Sequence, residues 1–77
     1  MKAYYVTIIR DKKVGWLSGP FSHHDDALAC VSAARLAAEN ADPRSVFDAF
    51  GTSSIERPDA KSLDDFPRGV LTARGWL

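Results

Sequence analysis

Four potential metal ligands stand in a row at His23-His24-Asp25-Asp26. Neighbours on a helix point about 100° apart, so these side chains cannot all converge on one ion. Metal sites on helices space their ligands about three or four residues apart, and the chain has no further histidine to complete a coordination sphere. The row reads as an acid-rich first helical turn that complements the helix dipole. Cys30 falls in the middle of the same helical pattern, on its apolar stripe, away from a helix start or basic cluster that would favour the thiolate. It reads as a small core residue. Serine and aspartate are plentiful, yet no Gly-x-Ser-x-Gly, phosphate loop or dinucleotide fingerprint occurs. No catalytic residue, metal or cofactor is expected, and the chain reads as non-enzymatic.

Two other groups of residues carry binding chemistry. Tyr4, Tyr5 and Trp16 lie close in sequence to Lys2, Arg10, Lys12 and Lys13, which is the stacking-plus-cation set that single-stranded nucleic acid uses. The competing explanation is structural: aromatics on adjacent strands pack as cross-strand pairs, and lysines at a turn solubilise a hairpin tip. Trp76-Leu77 supplies large apolar side chains at the end of the sequence, which either fold back on an open sheet face with Val70 and Leu71 or bury against a partner. The candidate partner-binding residues are therefore Arg10, Lys12, Lys13, Trp16, Trp76 and Leu77.

These residues need a scaffold, and 77 residues suffice for one small domain. Ten Lys and Arg balance ten Asp and Glu, so no global field draws the chain to nucleic acid or an acidic membrane. A 45% apolar content with two Trp, two Tyr and four Phe belongs to a folded protein rather than a disordered tail. One cysteine excludes an internal disulfide framework. No apolar run approaches the roughly 18 residues of a membrane span, and the first ten residues lack the plan of a secretory signal. The expected setting is the cytoplasm, without membrane contact.

Ala3 to Arg10 is rich in β-branched and aromatic residues, and Val14 to Ser18 resumes after Asp11-Lys12-Lys13, the pattern of a β-hairpin. Alternation places Tyr4, Val6 and Ile8 on one face of the first strand and Ala3, Tyr5, Thr7 and Ile9 on the other. Both faces are apolar, so the strand is expected inside a sheet, with a helix on one side and the C-terminal segment or another subunit on the other. Gly19-Pro20 marks the end of the second strand, and Ser22 three residues before Asp25 resembles a capping box. One long helix is then expected from near His23 to near Asn40, burying a stripe of Ala27, Leu28, Cys30, Val31, Ala34 and Ala38 and leaving Leu36 outside. Asp42-Pro43 starts a second, short helix carrying Val46, Phe47 and Phe50 and ending at Gly51, followed by a strand near Thr52 to Arg57; a strand from Val46 to Ile55 is the competing reading. The expected class is α+β: a small antiparallel sheet, a hairpin plus at least one more strand, on one long helix.

Residues 1 to 17 hold four cations against one acid, and residues 21 to 50 hold two cations against five acids. This +3 and −3 split permits reciprocal contacts across a two-fold axis. Together with the two-faced first strand and the Trp76-Leu77 end, it points to a homodimer.

Read as a string, Gly15-Trp16-Leu17-Ser18-Gly19-Pro20-Phe21, Asp26-Ala27-Leu28, Phe47-Asp48-Ala49-Phe50-Gly51-Thr52 and Gly69-Val70-Leu71 resemble a set of small, functionally uncharacterised proteobacterial proteins often carried on phages and other mobile elements. The resemblance spans most of the chain and brings no catalytic residue with it. It implies a context in which small neutral proteins act as stoichiometric inhibitors of host machinery, anti-CRISPR proteins among them. The expected function is a non-enzymatic protein-binding module that inhibits a host defence complex. The alternative is a nucleic-acid-binding accessory protein that uses the basic aromatic hairpin.

Overall fold

The computed structural model describes residues 1–73. Strands β1 (Lys2–Arg10) and β2 (Lys13–Phe21) form the expected hairpin. Their link, Asp11-Lys12, has φ of 49° and 68°. Positive φ at both positions gives a two-residue turn whose twist matches that of the strands it joins. Strand β2 continues past Ser18, where the sequence reading ended it, through Gly19-Pro20 to Phe21. It does so with register irregularities opposite Tyr4, Val6 and Thr7. Gly19 makes this possible. Its φ is +126°, and a Cβ there would stand 2.7 Å from Tyr5 Cδ2 and 2.8 Å from the Tyr4 carbonyl oxygen.

A third strand, β3 (Ala49–Glu56), pairs antiparallel with β1 in unbroken register from Lys2 opposite Glu56 to Ile9 opposite Ala49. The sheet order is β2-β1-β3, so the most apolar strand is central, as expected from its two apolar faces. The strand begins three residues earlier than the sequence reading placed it. Only Pro43–Phe47 is helical, as a 3-10 turn capped by Asp42, whose side chain accepts from the Arg44 N–H. Phe50 and Gly51 belong to the strand, because pairing with Ile8 and Thr7 overrides the local stop signal of the glycine.

Val6 and Leu17 meet Ala34, Ala38 and Leu71 on the helix side of the sheet. The alanines let the helix approach closely, and Ile8, Phe21 and Phe50 fill the surrounding space. The helix is not one long rod but two short segments, α1 (His24–Ala29) and α2 (Val31–Ala41). The Cys30 N–H bonds to the Ala27 carbonyl three residues back, which tightens the turn there and divides the helix. The buried stripe continues through this joint as Ala27, Ala34 and Ala38, whereas Leu28, expected on the stripe, is exposed. Leu36 is exposed as expected. Helix α1 begins after His23 without a side-chain cap, so the Ser22 capping box does not form. A capping box does form at Ser62 and Asp65.

That second box fixes the segment that covers the other face of the sheet. Ala3, Tyr5 and Phe66 form a second core with Trp16, Ile55, Ala60 and Leu63 around it. The Tyr5 ring stacks on Trp16 at 4.6 Å, and its hydroxyl donates to the Pro67 carbonyl at 2.6 Å. The cover is thus residues 60–66, where Ala60, Leu63 and Phe66 stand among polar neighbours. The later segment, expected on this face, leaves it: the Gly69 N–H donates to the Gly19 carbonyl at 3.1 Å as the chain passes β2. Helix α3 (Val70–Ala73) then sets Leu71 in the helix-side core, and Thr72 Oγ1 accepts from the Gly19 N–H at 3.0 Å. The class is α+β. No helix among the described residues is long and apolar enough to cross a membrane.

Candidate interaction surface

The hairpin tip carries the candidate cations, and the structure separates them by role. Arg10 is engaged within the molecule. Its Nε donates to both oxygens of Asp48 at 2.9 Å, Nη2 donates to Asp48 Oδ2 at 2.5 Å, and Nη1 donates to Asp42 Oδ2 at 3.3 Å. Arg44 completes the group, its Nε donating to Asp42 Oδ1 and its Nη2 to Asp42 Oδ2, each at 3.1 Å. Two guanidiniums and two carboxylates cancel, and the cluster pins the 3-10 turn to the hairpin. Arg10 of the basic end is thus paired with Asp42 and Asp48 of the acidic stretch inside one molecule, which takes that one cation out of the reciprocal charge argument for a homodimer. Lys12 and Lys13 stay exposed at the turn.

The clamp lowers both acids. The Asp42 carboxyl sits at about 2, held there first by hydrogen bonds from the Arg44 side chain and then by the Arg44 backbone N–H. Asp48, with a side chain only 5% exposed, is lowered chiefly by Arg10. A carboxyl with a lowered pKa stabilises the fold above its ordinary value near 4 and loses that contribution as pH falls through the folded value. The urea midpoint should thus decline between about pH 4 and about pH 2. The decline should be shallower in Asp48→Asn; an acid limb identical to the parent's would mean the clamp does not stabilise the fold.

Beside this neutral clamp lies an apolar patch. Phe47 is 90% exposed, Val14 59% and Ile9 43%. Ile9 and Phe47 line one hollow of about 370 Å³ together with Arg44 and Asp48. Val14 stands opposite Ile9 across the hairpin, and Trp16, opposite Thr7, lies further along the same face. The patch therefore runs over the part of the sheet that residues 60–66 leave open. Trp16 is half-buried with one ring face against Tyr5, so it forms the inner margin of the patch. Trp76 and Leu77 lie outside the described residues.

Of the residues considered for metal binding or catalysis, His24 and Cys30 make contacts within the fold. His24 Nε2 is 3.0 Å from Thr52 Oγ1, and its ring meets Tyr4 edge-on at 5.8 Å. Cys30 packs at the helix joint. Sequence reasoning placed Phe47 among the apolar residues of a short helix, where burial was the natural expectation. The tight 3-10 turn instead buries Ser45 and projects Phe47 outward.

No family model matches the chain, and no curated protein or solved structure does either.

Proposed function

We propose that this chain is a non-enzymatic protein-binding module that presents the Phe47, Ile9 and Val14 patch to a protein partner. The observation that carries the reading is Phe47, a large aromatic side chain left 90% exposed beside a charge-neutral clamp. Aromatic anchors with a nearby arginine are the residues that dominate protein interfaces, and neutral surroundings suit a protein partner better than a polyanion. The context implied by the sequence resemblance makes the partner a host defence complex, bound in the cytoplasm by a mobile-element inhibitor of anti-CRISPR type. A second copy of the chain is a further partner in this reading.

The alternative, a nucleic-acid accessory protein, draws on Lys12 and Lys13, which are exposed at the hairpin tip. Against it, Arg10 is occupied by two carboxylates and Trp16 is stacked on Tyr5, so one cation and the Trp16–Tyr5 pair of the stacking-plus-cation set are used within the fold. Titration of a labelled single-stranded oligonucleotide separates the two. The module reading expects no binding in the micromolar range at physiological salt. Micromolar binding that weakens steeply with salt, by about 0.7 in log–log slope per phosphate contact, and is lost in Lys12→Ala, Lys13→Ala would replace it with the alternative.

A further inference from the structure

The two edges of the sheet differ. Strand β2 is irregular, and the Gly69 N–H and the Thr72 hydroxyl occupy the carbonyl and N–H of Gly19. Strand β3 is regular over all of Ala49–Glu56, with no proline, no lysine and no charged residue between Asp48 and Glu56. Edge strands are ordinarily protected by such residues or by bulges. Among the described residues, no hydrogen bond reaches the outward backbone groups of β3.

The hairpin tells which groups those are. A two-residue turn makes Arg10 and Lys13 a hydrogen-bonded pair, so the backbone groups of Arg10, Ile8, Val6 and Tyr4 face β2 and those of Ile9, Thr7, Tyr5 and Ala3 face β3. On β3 their partners Ala49, Gly51, Ser53 and Ile55 point inward. The N–H and C=O groups of Phe50, Thr52, Ser54 and Glu56 point out.

We propose that a second copy of this chain pairs antiparallel along β3 with Ser53 on the two-fold axis, making a six-stranded sheet from two three-stranded ones. This register sets Phe50 opposite the partner's Glu56 and Thr52 opposite the partner's Ser54, which uses every outward group. It also matches side chains. Gly51, where a Cβ would meet no atom within 4 Å, receives the partner's Ile55. The partner's Glu56 comes beside Phe50, over which Arg35 lies at 5.8 Å. Centring the pair on Thr52 instead would oppose Asp48 and Glu56, two acids. A second copy fits this edge because the strand complements itself. The proposal rests on the protein-binding reading only for the class of ligand, and it uses a surface separate from Phe47.

The test is the mass of the full chain by light scattering at a concentration on the order of 50 µM, above a low-micromolar dissociation constant. The proposal expects a dimer mass, and a monomer mass with unchanged circular dichroism in Ser54→Lys. Thr52→Pro should also give a folded monomer, since it removes an outward N–H that β1 does not use. In a Cys30→Ala background, Ser53→Cys should form an intermolecular disulfide on mild oxidation. Thr52→Cys should not, because its two copies would stand about 8 Å apart at Cα, beyond disulfide reach. A monomeric parent overturns the proposal, as does a dimer indifferent to Ser54→Lys or cross-linking at residue 52 rather than 53. A dimer abolished by Phe47→Ser but not by Ser54→Lys would move the contact to the patch, overturning the edge while leaving the protein-binding reading in place.

Discussion

Tyr5→Ala should cost about 3–5 kcal/mol, the range for removing a buried aromatic ring. For a chain of this length, total stability is on the order of 4–12 kcal/mol, so the variant should lose roughly a quarter of its stability at the least and all of it at the low end of that range. The reason is position. Tyr5 is fully buried on the central strand, it forms one side of the stack with Trp16, and its hydroxyl anchors the covering segment at Pro67. Tyr5→Phe keeps the ring and loses only that hydrogen bond, so it should cost about 1 kcal/mol. Burial pushes the Tyr5 hydroxyl above its ordinary value of 10. A raised pKa means that the stability it confers is complete below about pH 10 and is lost as the pH climbs through the folded value. Tyr5→Phe should lack this alkaline loss. Denaturant melts of the two variants check the claim, and a Tyr5→Ala melt matching the parent would show that the second core contributes little.

Gly69→Ala should be almost as damaging, although it adds a single methyl group. A Cβ at this position would stand 2.6 Å from both the Leu17 carbonyl carbon and the Ser18 nitrogen. Those are backbone atoms of a paired strand and cannot rotate away as a side chain would. The chain must then lift from β2, breaking the Gly69 to Gly19 hydrogen bond and drawing Leu71 out of the helix-side core. Complete truncation of a buried leucine costs roughly 2–5 kcal/mol, so losing part of the Leu71 burial together with the hydrogen bond should cost on the order of 2–3 kcal/mol. Gly51→Ala, melted at a concentration low enough to keep the chain monomeric, is the control, because a Cβ there meets no atom of its own chain within 4 Å. Its melt should stay near the parent's while that of Gly69→Ala moves well below it.

Strand periodicity made the hairpin, the central position of β1 and the division of its side chains between two faces readable from sequence alone. The alanine stripe of the helix was readable for the same reason, since Ala27, Ala34 and Ala38 repeat at helical spacing. Features set by distant contacts were not. The joint at Cys30 was not readable either, because nothing in Ala29-Cys30-Val31 announces the bond to the Ala27 carbonyl that tightens the turn. Gly51 carries a local stop signal, yet strand pairing with Thr7 places it inside β3. Residues 60–66 look polar because Lys61, Ser62, Asp64 and Asp65 outnumber Ala60, Leu63 and Phe66, although those three apolar residues close the second core. The clamp escaped for a related reason. Arg10 and Asp48 are 38 residues apart, and only the fold brings them together. The same turn that delivers Asp48 to Arg10 turns Phe47 outward, so the exposed patch and the clamp share one structural cause.

The central claim is that the chain acts through the Phe47 patch on a protein. The most direct measurement is quantitative affinity capture from a host lysate with the parent chain, Phe47→Ser and Lys12→Ala, Lys13→Ala side by side. Phe47 is a surface residue, so its substitution should leave the melt within about 0.5 kcal/mol of the parent and any loss of capture can be assigned to the patch. The account predicts a protein retained by the parent and the lysine variant and lost with Phe47→Ser. Retention by Phe47→Ser, with loss only in the lysine variant, would contradict it.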